Sequence, residues 1–128
     1  MIKQDYLVRM ILEIITLIAN ALLSKKKIRP QHWVEYDCLT RQILGLPSEE
    51  LKDMNAEEVI SRYEGDTNRM GKIELAAMTM LKISDEMEDD QLVLKSKLRQ
   101  EGIELLEFVQ QQGDTFSLQR MTLISQLK

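Results

Sequence analysis

The sequence predicts an all-α domain, and three observations carry that expectation. Its 128 residues include only five Gly and two Pro, too few turn residues for a sandwich of many short strands. The composition is 44% hydrophobic, 30% charged and only 5% aromatic, too apolar for disorder and rich in side chains that keep their rotamer freedom in a helix. No segment alternates apolar and polar residues as a half-buried strand would. A chain of this length forms one core, so a single helical domain over residues 1–128 is expected.

The elements follow in order. Across residues 5–24, a helical projection puts Arg9, Glu13, Thr16 and Asn20 on one narrow stripe. Leu7, Ile11, Ile14, Ile18, Ala21 and Leu22 lie opposite, and Val8, Met10, Ile15 and Leu17 widen the apolar face past half the circumference. Such a helix needs cover on two sides and is expected to be the most buried element. Pro30 suits the first position of a second helix that runs to Leu44 and stops at Gly45. Ser48 and Asn55 are natural N-caps for two short helices, each followed by acidic residues that favour the positive end of the helix dipole.

A long helix over 69–87 carries Met70, Ile73, Ala76, Ala77, Met80, Ile83 and Met87 on one face, where small alanines admit a close neighbour. Another over 91–112 is marked by Leu94, Leu98, Leu105 and Val109, with Gly102 on the same side. A mid-helix glycine costs up to ~1 kcal/mol relative to alanine, so Gly102 is expected to serve close packing. Gly113 ends that helix and Ser117 caps a last one, anchored by Leu118, Met121 and Ile124. The short connections predict two antiparallel hairpins, 5–24 with 30–44 and 69–87 with 91–112, bridged by the short helices. Their layout is similar to the paired helices of tetratricopeptide-like folds, without the 34-residue repeat pattern.

The net charge of −4 hides an asymmetry: residues 1–45 hold seven Lys or Arg against four Asp or Glu, and residues 46–128 hold ten against seventeen. The basic part concentrates in "SKKKIRPQHW", residues 24–33, which contains the only His and the only Trp. Lys25, Lys26, Lys27 and Arg29 with His32 and Trp33 form the candidate interaction site, read either as an anion contact with an aromatic stacking face or as a solvated turn with Trp33 packed in the core. The acidic body runs against general nucleic-acid binding.

Little in the chain points to catalysis. Cys38, the single cysteine, excludes an intrachain disulfide and reads as a small buried hydrophobe. His32 and Cys38 stand about 240° apart on a helix and share no face. A metal centre lacks the second His that a di-iron bundle needs, and "DEMEDD" at 85–90 lacks the glycine and spacing of a calcium loop. No phosphate-binding glycine motif occurs. No catalytic, cofactor or metal residue is therefore assigned. Arg9 and Glu13 interrupt the apolar N-terminal stretch, so a core helix rather than a membrane segment is expected, in a cytoplasmic protein.

The opening "DYLVRMI" at 5–11, together with "ILGL" at 43–46, resembles a family of uncharacterised helical bacterial proteins that begin Asp-Tyr-Leu-hydrophobic-Arg-Met-Ile. The resemblance implies a tetratricopeptide-like fold in a bacterial cytoplasm and no known activity. At the start of the second helix, "IRPQHWVEY" departs from the family's pattern. The function expected is a non-enzymatic scaffold that docks a protein or a second copy of itself. The surplus apolar face of Leu7, Ile11, Ile14 and Ile18 would be the self-association surface, and Met70, Met80, Met87 and Met121 adaptable contacts. The alternative is a small nucleic-acid-associated regulator that uses the basic turn 25–29.

Overall fold

A computed structural model describes residues 3–128. Among the described residues the chain forms seven α-helices and no strand: α1 Gln4–Ser24, α2 Pro30–Leu44, α3 Ser48–Leu51, α4 Ala56–Arg62, α5 Arg69–Glu86, α6 Leu92–Gln112 and α7 Leu118–Leu127. A 3₁₀ turn, Asp89–Gln91, leads into α6.

The ends of these helices are set by local chemistry. α1 closes on Lys25 in the left-handed region (φ 58°), while the Lys26 N–H donates back to the Ala21 carbonyl at 3.0 Å. α2 starts with Pro30 after an extended Arg29 and ends on Gly45, whose φ of 75° a side chain would strain. Asn55 and Glu58 form a reciprocal capping box on α4, and Glu101 of α6 accepts from the Ala56 N–H at 2.6 Å. Ser117 caps α7 through the Arg120 N–H. Ser48 differs from expectation: it is the first residue of α3, Pro47 holds the cap position, and the Ser48 hydroxyl donates to Asp37 instead.

α5 is the axis of the molecule. Every residue from Ile73 to Lys82 is buried, because α1, α2, α3, α4 and α6 all pack on it. This corrects the expectation that the first helix is the most buried one. α1 is apolar over a wider arc, but Val8 and Leu12 stay exposed. Its Ile11, Ile14, Ile15, Ile18 and Ala19 lie in the core. By length and composition α1 would pass as a membrane-crossing helix, at mean hydropathy 1.9. In this fold its isoleucine stripe covers α5.

The direction of packing fixes which turns share an end of the molecule. Tyr36 bonds Glu13 across the α1–α2 turn, so these helices run antiparallel. Ser84 bonds Lys95, and Gly102 abuts Ala77 and Leu81, so α5 and α6 are also antiparallel. A β-carbon on Gly102 would stand 2.9 Å from Leu81 and 3.2 Å from the Ala77 carbonyl, the close approach its position in the pattern implied. α1 runs parallel to α5: Gln4 meets Asn68, Ile11 meets Gly71, and Leu22 and Leu81 line one small cavity near the opposite end. α7 packs on both α6 and α1 and closes the bundle.

A buried ion pair locks that closure. Arg120 of α7, 5% exposed, makes a fork with Glu74 of α5, Nε to Oε2 at 2.7 Å and Nη2 to Oε1 at 3.2 Å. Its Nη1 also donates to Gln110 and to the Thr115 carbonyl. With several donors matched, the charges tolerate burial that an unpaired one would not.

Candidate interaction surface

The basic turn lies where α1 hands over to α2. Lys25, Lys26, Lys27 and Arg29 are all exposed, and among the described residues none makes an ion pair or a side-chain hydrogen bond. His32 is exposed as well, its ring 5.7 Å from that of Tyr36. Trp33 is half-buried: it packs against the edge of the core and lines a groove beside it. Its ring stacks near Tyr36, and the Lys82 ammonium sits 4.4 Å from its centroid. The structure thus gathers the predicted residues in one region but separates their settings: four free cations and His32 in solvent, Trp33 engaged from below.

Lys82 explains why an ammonium can lie there. It is only 8% exposed, and its Nζ stands 2.9 Å from both carboxylate oxygens of Glu86, one helical turn on. The aromatic face and the carboxylate together compensate the partial loss of water. Nearby, burial first and then the Glu13 carboxylate push the Tyr36 hydroxyl above its ordinary range.

The groove has a volume of about 540 Å³. It is lined by Trp33 and Asp37 from α2, Ser48, Glu49 and Lys52 from and after α3, Lys82, Ile83 and Glu86 from α5, and Glu88 and Gln91 from the turn that follows. Asp37 and Glu49 share Arg41 at 3.3 and 3.4 Å, while Glu88 has no ion-pair partner among the described residues.

Because α1 and α5 run parallel, their C-terminal turns emerge at the same end of the molecule. That end therefore carries the basic turn 25–29 and, beside it, the acidic turn of Asp85, Glu86, Glu88, Asp89 and Asp90. Only two of those acids have ion-pair partners among the described residues, Glu86 with Lys82 and Asp89 with Lys95 at 3.7 Å. No group of three or more His, Cys, Asp or Glu among the described residues is arranged to hold a metal ion. Three exposed apolar side chains border the same turns: Val34 next to Trp33, and Leu92 and Val93 at the start of α6, the last 88% exposed.

Two expectations change here. Ile11, Ile14 and Ile18 are buried inside the chain's own core and Leu7 is half-buried against it, so that stripe offers no surface to a second copy. The physical reason is α5, which uses the isoleucines as its cover. Cys38, expected buried, is exposed, since it lies on the side of α2 turned away from α1 and α5. Of the four methionines expected as adaptable contacts, Met80 is fully buried, Met70 and Met87 are partly so, and Met121 is exposed.

The sequence pattern did not reveal the Glu74–Arg120 fork or the meeting of the two charged turns, which depend on residues far apart in the chain. A local hint existed in the first case: Glu74 and Lys82 are the only charges in the otherwise uncharged run 73–84, and a charge there demands a partner. Fold and surface together define a closed helical bundle with a bipolar, partly apolar end. Comparison with protein-family models, curated proteins and solved structures finds no match to the chain.

Proposed function

We propose that this chain is a non-enzymatic helical interaction module whose docking face is the end that holds the Trp33 groove. The observation that carries the reading is the groove of the half-buried Trp33, lined by charges of both signs, at an end where Val34 follows Trp33 and Leu92 and Val93 follow the acidic turn, all three exposed. Interfaces combine an aromatic and aliphatic centre with a polar margin in the same way. The antiparallel pairs α1–α2 and α5–α6 support a tetratricopeptide-like layout for the scaffold. The α7–α1 contact makes it a closed bundle rather than an open solenoid, whose repeats touch only their neighbours.

The nucleic-acid reading draws on the four free cations of the turn. The five acids of the adjoining turn oppose it, since a phosphate backbone reaching Lys25–Arg29 would pass close to them. A photo-crosslinking residue placed at Val34 or at Val93 in the full chain tests the choice. The expected result is a discrete polypeptide adduct from both positions, lost on Trp33→Ala. Adducts that disappear with nuclease, with no polypeptide partner, would replace this reading with the nucleic-acid one.

A further inference from the structure

We infer that the occupant of this face is a second copy of the chain, docked end to end about a two-fold axis so that each basic turn meets the other copy's acidic turn. This rests on the docking reading above and names its partner. A two-fold contact brings the same patch of both copies together, so the patch must complement itself. A face of one sign repels its own copy, whereas a face with cations on one side and carboxylates on the other attracts it when rotated by half a turn. The parallel packing of α1 on α5 produces such a face.

The charges are available for the purpose. Among the described residues Lys25, Lys26, Lys27, Arg29, Glu88 and Asp90 have no ion-pair partner, although the two turns leave at one end. Exposed ion pairs are individually weak. They set the register, and burial of the exposed Val34, Leu92 and Val93, which adjoin the charged turns in the chain, supplies the rest.

The test is the solution mass of the full chain by light scattering and sedimentation, with two charge-reversed variants, Lys26→Glu/Lys27→Glu and Glu88→Lys/Asp90→Lys. All four residues are exposed or at the groove's edge and outside the core, and helical circular dichroism checks that each variant folds. The expected result is a dimer at low salt whose dissociation constant rises at least about tenfold between 0.05 and 0.5 M salt. Each variant alone is expected to be monomeric, and their equimolar mixture to regain the dimer mass, because an end with a net acidic charge then meets one with a net basic charge. A dimer indifferent to salt and to both reversals would overturn the inference, as would variants that fail to pair when mixed. A monomeric wild type whose Val34 and Val93 crosslinkers still give an adduct would overturn self-association and leave docking of a different protein. A monomer with no adduct would overturn both.

Discussion

Lys25 is the one residue other than glycine with a positive φ among those described. Left-handed backbone costs an ordinary residue about 1–2 kcal/mol, so Lys25→Gly is expected to raise stability by roughly 0.5–1 kcal/mol in denaturant unfolding, at the expense of one cation in the turn. Tyr63 shows the opposite balance, a polar atom whose partner is essential. It is buried, and its hydroxyl donates to the Leu44 carbonyl at 2.7 Å. Tyr63→Phe leaves that carbonyl unpaired and is expected to cost about 1–2 kcal/mol. Burial also pushes the Tyr63 hydroxyl above its ordinary 10.0. As pH rises past that ordinary value the unfolded tyrosine ionises before the folded one, so the folded state loses stability. The contribution is complete below about pH 10 and declines above it, and the Phe variant is expected to lose that part of the alkaline slope. Both residues are legible in the sequence as types but not in their roles. The run "SKKK" marks a turn without indicating which lysine adopts the strained conformation, and nothing near Tyr63 in the chain announces Leu44.

Helix α6 meets α5 through Gly102, and here propensity and packing disagree. Alanine would favour the helix by up to ~1 kcal/mol, yet its β-carbon would crowd Leu81 and the Ala77 carbonyl. Overpacking wins because a backbone carbonyl cannot move aside, so Gly102→Ala is expected to lower stability by about 1–3 kcal/mol in thermal or chemical unfolding. α7 depends on its ion pair more than on apolar burial, with Arg120 and Leu123 its only buried residues. Arg120→Leu strands the Glu74 carboxylate in the core and is expected to cost about 3–5 kcal/mol. Pairing it with Glu74→Leu is expected to recover much of the loss, which a double-mutant cycle would measure. The helices themselves were readable because their boundaries rest on local signals: Pro30, Gly45, Asn55, Gly113 and Ser117 each act within a few residues of their position. The order of burial was not readable, since the apolar arc of α1 reports how much surface asks for cover and not how many neighbours arrive to provide it.

At the scale of the molecule, the parallel pairing of α1 and α5 decides both what is buried and what the charged end looks like. The candidate surface was half visible in advance: "SKKKIRPQHW" stood out by composition, but its acidic counterpart 52 or more residues later read only as a solvated helix end. A linear pattern carries no information about which turns a bundle brings together. The same pairing also imposes a delay on biosynthesis. Gln4 meets Asn68 across 64 residues, so at ribosomal rates of roughly 5–20 residues per second the isoleucine stripe of α1 is finished about 3–13 s before the helix that covers it. For that interval the nascent chain presents its most apolar helix with only α2 of its native neighbours in place, and a chaperone or a bilayer surface competes for it with a fold that is not yet complete.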